Sequence, residues 1–267
     1  MTSIVVRKAP FDQVLKLHRG VAFGEVSIIP YQQFSRKNLA LTQAGTAIAI
    51  NYLTSGGADH STCTAVRGGA RNNADRESYA LTVAQVDNLK AAQLHAGKIG
   101  LPLTRMITIH WEAAGVPLEG MARATGRFID LLSKALARHG SATAWLWTHE
   151  NCGLKGGHCH LLVHVPSGLV AVIARLQLGW LRRITGGVYR ARVIHSKPIG
   201  GRLGLEGSNP ELYLANLEKA LAYLLKGASV EAAKKFKLHR IKPGGRIIGK
   251  RCGTSQNIGA KARKIGD

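Results

Sequence analysis

The sequence predicts an α+β fold, with an antiparallel sheet of about five strands and helices packed on it. Three observations carry this. Between residues 101 and 227, apolar patterns of strand and helix period follow in the order strand, helix, strand, strand, helix, strand, helix. Residues 143–166 hold two strand-like runs joined by the glycine-rich segment Asn151 to Gly157, which reads as a hairpin. Leu118 to His139 is amphipathic, with Met121, Phe128, Leu131, Leu132, Ala135 and Leu136 on one helical face.

Residues 1–100 form a region of unassigned fold. Its short apolar patches (Ile4 to Val6, Val21 to Ile29, Ala47 to Leu53) precede a Gly/Ser/Asn/Arg-rich loop or linker from Ser55 to Arg76, and Leu81 to Ala96 reads as a helix. Arg105 to Trp111 is predicted as a strand. The helix 118–139 and the hairpin follow, with the hairpin strands central in the sheet. Gly168 to Ile184 reads as a helix and Tyr189 to Ile194 as a short strand. A third helix opens at Asn209-Pro210-Glu211, with Asn as cap and Pro in the first turn, and stops at Gly227. The folded domain is thus expected over 101–233, and residues 234–267 read as a basic tail.

The chain carries 37 Lys and Arg against 15 Asp and Glu, a formal charge of +22. Such an excess favours a polyanionic partner, nucleic acid first and anionic membrane second. Residues 234–267 hold 11 basic side chains and one acidic. They read either as a disordered nucleic-acid-binding tail or as one that folds over DNA, with Lys250 and Arg251 as contacts. No apolar run is long enough to span a bilayer and no signal-peptide pattern opens the chain, so a cytoplasmic protein with no membrane partner is expected. The four cysteines, Cys63, Cys152, Cys159 and Cys252, form no Cys-x-x-Cys pair, as suits a reducing compartment.

The chemistry centres on Gly157-His158-Cys159-His160-Leu161-Leu162-Val163. Alternate side chains of a strand share a face, so His158 and His160 point the same way, and the hairpin returns Glu150 beside them. Two nitrogens and one oxygen leave positions open for water and a phosphate oxygen, a donor set that fits Mn²⁺ or Mg²⁺. His164 shares their face but lies about 13 Å along the strand from His160 at ~3.3 Å per residue. It reads as a DNA contact or a strand-end residue. The plain alternative for the pair is two polar residues on a solvated sheet face, and a zinc site of His158, Cys159 and Cys152 is another.

Tyr223 and Lys226 stand three apart on the third helix, hence on one face. A phenolate can attack phosphorus, and a neighbouring ammonium favours it. Leu217, Ala220, Leu221 and Leu224 surround Tyr223, so a core aromatic is the competing reading. Tyr213 is the rival nucleophile, without a Lys at i+3, and Tyr189 a third. Gly244 to Arg251 approaches a phosphate loop but ends in Arg where Ser or Thr belongs, so ATP is not expected. Trp145 and Trp147 share the strand face opposite Glu150 and read as packed under a helix. Thr108 and His110 read as lining a DNA groove.

These residues resemble the HUH endonucleases, the replication initiators of rolling-circle plasmids, phages and small DNA viruses. Ile107-Thr108-Ile109 is similar to the first motif of that family, the His158/His160 segment to the second, and Tyr223-Leu224-Leu225-Lys226 to the third. Glu150 stands where several members take a further metal ligand. Cys159 replaces the usual bulky apolar residue between the histidines. Transposases of the superfamily usually have Gln where this chain has Lys226. Relaxases place the nucleophile ahead of the histidines, where Tyr31 lacks the context. The resemblance covers roughly 101–227. It implies a sheet of the RNA-recognition type, Mg²⁺ or Mn²⁺ dependence, and a nickase that cleaves and rejoins single-stranded DNA at a replication origin through a 5′-phosphotyrosine at its single motif tyrosine. A host helicase would supply unwinding. A transposase or relaxase with the same chemistry, and a non-catalytic basic nucleic-acid-binding protein, are the alternatives.

Overall fold

The computed structural model describes residues 76–264 apart from 154–155 and 188–189. The apolar patches before residue 55, the segment 55–75, Tyr31 and Tyr189 lie outside the described residues. The fold is α+β. In chain order its elements are β1 (Glu77–Ser78), α1 (Val83–Lys98), β2 (Arg105–His110), α2 (Leu118–Arg138), β3 (Trp145–Asn151), β4 (Gly157–Val163), α3 (Val170–Thr185), β5 (Ile194–Pro198), α4 (Leu205–Ser208), α5 (Pro210–Leu224), α6 (Val230–Lys235), β6 (Ile247–Ile248), β7 (Cys252–Thr254) and α7 (Ala260–Arg263).

Five strands form one sheet in the order β5-β2-β4-β3-β7, every neighbouring pair antiparallel. The hairpin strands β3 and β4 are therefore interior, as their apolar density predicts. Strand alternation divides the sheet into two faces. Ile107, Ile109, Trp147, Cys159, Leu161 and Val163 bury against α2 and α3. Leu146 and Leu162 bury against α1 and α5 on the other face. Each face removes a large apolar area from water, at about 25 cal/mol per Å², so the sheet is the middle of three layers.

Local sequence explains the helix ends. Thr82 and Gln85 form a reciprocal capping box at α1, each side chain bonding the other residue's backbone N–H. Asn209 accepts from the Leu212 N–H at the start of α5, with Pro210 in the first turn. α5 ends at Leu224, and Leu225–Gly227 continue as a 3₁₀ turn, so Lys226 lies in that turn rather than in the helix proper. The fourth predicted strand is displaced. Arg192 has φ +65°, which turns the chain, and the strand starts at Ile194.

The expected edges at 101 and 233 do not bound the core. Val86, Leu89, Ala92 and Ala96 of α1 are buried with α5 and the sheet. Residues 234–264 belong to the fold: β6 pairs with β1, and β7 is the fifth strand of the sheet, on the edge of β3. Arg251 is the reason a basic segment folds here. It is buried and donates to Ser78 Oγ at 2.9 Å and to the carbonyls of Ser78, Gly244 and Gly245. Gly245, at φ +69°, passes so close to the Asn151 carbonyl that no side chain fits. The expected DNA contact at Arg251 is thereby corrected to a structural clamp between β1 and the segment before β6. The phosphate-loop resemblance also fails, because a strand, not a helix, follows the glycines.

Arg251→Met should leave buried carbonyls unpaired and cost about 2–4 kcal/mol. A thermal melt should show Tm lowered by roughly 5–15 °C. Among the described residues, no helix is long and apolar enough to cross a membrane.

Candidate metal centre and nucleophile

Register assembles the centre. Glu150 pairs directly with His158 across β3 and β4, Thr148 with His160, and Thr108 of β2 with His160 from the other side. All share the face opposite α2 and α3. Glu150 Oε2 lies 3.3 Å from His158 Nε2 and 3.4 Å from His160 Nε2. Lys226 Nζ lies 2.5 Å from the same oxygen and 3.2 Å from His160 Nε2. All four side chains are buried.

Tautomers follow from the partners. His158 Nδ1 is 2.8 Å from the Gly156 carbonyl, which can only accept, so Nδ1 carries hydrogen and Nε2 faces Glu150. Gly156 has φ +59°, a backbone conformation that a side chain would strain, and this suits glycine to the turn presenting that carbonyl. Burial, reinforced by the Lys226 charge and opposed by Glu150, pulls His160 down to about 4, so its ring is neutral at pH 7. The Lys226 ammonium has hydrogens only to give, so His160 Nε2 presents a lone pair. Its Nδ1–H then donates to Thr108 Oγ1 at 3.0 Å.

Burial alone would raise Glu150, yet the Lys226 ammonium against Oε2 opposes this and the carboxyl lies below its usual range; the two imidazoles lower it further only when their Nε2 atoms carry protons. Among the described residues, Glu150 Oε1 accepts no hydrogen bond, and Oε2 meets the imidazoles and the ammonium without a hydrogen bond of ordinary geometry. The Lys226 ammonium offsets this buried charge, while Oε1 keeps lone pairs that no donor takes and that can ligate a metal ion. The ligand atoms of Glu150, His158 and His160 lie within 4.8 Å of one another, and the group can hold a metal ion. Thr108→Val would release the His160 ring. It should weaken Mn²⁺ binding roughly 10- to 100-fold, as read by electron paramagnetic resonance titration.

Tyr223 is half-buried beside this group. Its ring meets His160 edge-on, centroids 4.8 Å apart, with Lys226 Nζ 3.8 Å and Arg240 Cζ 4.8 Å from its centroid. Burial and the Glu150 charge raise its phenol, and Arg240 opposes them. Burial lowers Lys226, against the pull of Glu150. The end of α5 is pinned to the sheet, since Thr148 Oγ1 donates to the Leu224 carbonyl at 3.3 Å. The Lys242 N–H reaches the Lys226 carbonyl at 2.8 Å.

The remaining candidates separate. Tyr213 is core: its hydroxyl donates to the Leu103 carbonyl at 3.2 Å and burial pushes it up. Cys159 points to the opposite face and burial pushes its thiol to about 12, so the zinc alternative with His158 fails. His164 donates Nδ1–H to the Pro102 carbonyl at 2.7 Å, an anchor that fits the strand-end reading of this residue. Lys250 is exposed, but it stands 5.9 Å from the Trp147 ring, on the face away from the centre. Trp147 is packed in the core beneath α2, as expected.

Three residues escape a reading by sequence. Arg240 has only its basic type as a signal. His195, on β5, puts its ring 5.7 Å from His110, whose ring is 5.4 Å from His158. A histidine row thus crosses β5, β2 and β4. His149, behind the centre, links both sides of β3: Trp111 donates to Thr125, Thr125 to His149 Nε2, and His149 Nδ1–H to the Lys250 carbonyl. Burial drops His149 to about 3. The unfolded chain takes up this proton near pH 6.5 and the folded protein only near 3, so stability falls as pH drops through that window. Urea midpoints at pH 7 and 4.5 should differ less in His149→Gln than in the parent protein.

Comparison with family models, with curated proteins and with solved structures returned no match.

Proposed function

We propose that the protein is a metal-dependent, HUH-type endonuclease that nicks and rejoins single-stranded DNA through Tyr223. The observation that carries this reading is the meeting of two constellations. The carboxylate and two imidazoles converge on one point, and Tyr223 and Lys226, from a separate element, stand against His160. A structural ion site has no use for a half-buried phenol ringed by two cations.

A divalent ion held by Glu150, His158 and His160, Mn²⁺ or Mg²⁺, would polarise the scissile phosphate. The chain supplies the rest. Thr108 and the Gly156 carbonyl hold the imidazoles in their ligating tautomers. Tyr223 Oη forms a bond to phosphorus as the P–O3′ bond breaks. The phenol gives up its proton, and the departing 3′ oxygen takes one up. Lys226 and Arg240 offset charge on the phenolate and phosphate. The phosphotyrosine ester keeps the energy of the broken bond, so a 3′ hydroxyl can reverse the step.

The single nucleophile, with Lys rather than Gln in its motif, favours a rolling-circle replication initiator over a transposase. Its partners would be origin single-stranded DNA and a host helicase, in the cytoplasm. The charge of +22 fits a polyanionic substrate, and binding should weaken steeply with salt. Incubation with single-stranded circles of the cognate replicon tests the reading. Linear product that needs Mn²⁺ or Mg²⁺ and vanishes with EDTA is expected. Tight binding without a break, whatever the metal, would make the protein a non-catalytic binder.

A further inference from the structure

The Lys226 ammonium and the expected metal ion address the same atoms. Nζ is 2.5 Å from Glu150 Oε2 and 3.2 Å from His160 Nε2. Those are two of the three atoms an ion at this centre would bind, through the lone pairs that the ammonium now faces. His160 Nε2 has one lone pair in its neutral ring, so it cannot accept from Lys226 and ligate a metal together. An ammonium and a divalent ion also repel strongly when forced together on one buried carboxylate. Lys226 is tethered in a 3₁₀ turn whose backbone is fixed, with the Gly227 carbonyl receiving the Leu81 N–H at 2.9 Å and the Lys226 carbonyl the Lys242 N–H. Its side chain is the part free to choose a partner. The alternative partner is already in contact, because Nζ stands 3.8 Å from the Tyr223 ring centroid.

We propose that Lys226 is a resident counter-ion of the centre, displaced from Glu150 and His160 when a divalent ion binds and left facing Tyr223 alone. This inference rests on the metal reading above. It couples two events: loading of the ion releases the ammonium from Glu150 and His160, so the Lys226 charge that already stands over the Tyr223 ring is no longer shared with the carboxylate. Without metal, the ammonium offsets the Glu150 charge and keeps the triad assembled.

The test uses the full chain labelled with ¹⁵N-lysine. The ammonium resonance of Lys226, identified by its loss in Lys226→Met, is followed as Mg²⁺ is added. Mn²⁺ affinity is measured in parallel on the parent protein, Lys226→Met and Lys226→Gln, the last keeping a donor for His160 without the charge in case the Met variant fails to fold. Displacement predicts that the resonance moves or broadens at the Mg²⁺ concentration that fills the site, and that either substitution tightens Mn²⁺ binding at least about tenfold. An unmoved resonance at saturating Mg²⁺ overturns the proposal. So does a folded variant that binds Mn²⁺ no better than the parent. If the parent and both folded variants bind no Mn²⁺, the metal reading itself falls, a result distinct from the other two.

Discussion

Tyr223→Phe is expected to abolish the covalent protein–DNA product and to lower strand cleavage by on the order of a thousandfold or more. The change removes one oxygen and leaves the ring. The edge contact with His160 at 4.8 Å and the stacking of Lys226 at 3.8 Å do not depend on the hydroxyl, so the fold and the metal centre should survive. A melting temperature and a Mn²⁺ affinity unchanged from the parent, beside a lost adduct band on a denaturing gel, would isolate the effect to chemistry. Loss of the adduct together with loss of metal binding would instead point to collapse of the centre.

His158→Ala is expected to have the second largest effect. It removes one of three ligating atoms and leaves Glu150 with one imidazole and the ammonium. Mn²⁺ affinity should fall by roughly a hundredfold or more, and cleavage with it. EDTA on the parent protein should reproduce the loss. DNA binding at low salt should change little, because phosphate contacts along a highly basic surface do not need the ion. The check is a filter-binding curve and a cleavage rate measured on the same preparation. A variant that cleaves at the parent rate without metal binding would assign the chemistry elsewhere.

The centre was readable where regular structure turns spacing into geometry. Period two in β4 places His158 and His160 on one face, and the hairpin returns Glu150 opposite His158. The i, i+3 spacing of Tyr223 and Lys226 holds across the junction of α5 with its 3₁₀ turn, because both helix types keep residues three apart on one side. Reading failed where tertiary context overrides local composition. Cys252-Gly253-Thr254 is too short to show alternation, yet it closes the sheet because Arg251 finds four acceptors in β1 and the glycines before β6. Basic composition favours solvent there; a saturated guanidinium does not need it. His195 lies on a five-residue edge strand ending in Pro198, with no pattern to fix its face. Thr108 reads in the sequence as lining a DNA groove; its contact with His160 depends on the β2–β4 register, which a single strand cannot specify.

The most direct measurement is peptide mapping of the covalent product. The protein, incubated with Mn²⁺ and cognate single-stranded DNA, is digested with nuclease and protease, and the nucleotide-bearing peptide is sequenced by mass spectrometry. A 5′-phosphonucleotide on Tyr223 is the predicted result. A nucleotide on any other residue, or no adduct from a protein that binds both the DNA and Mn²⁺, would contradict the account.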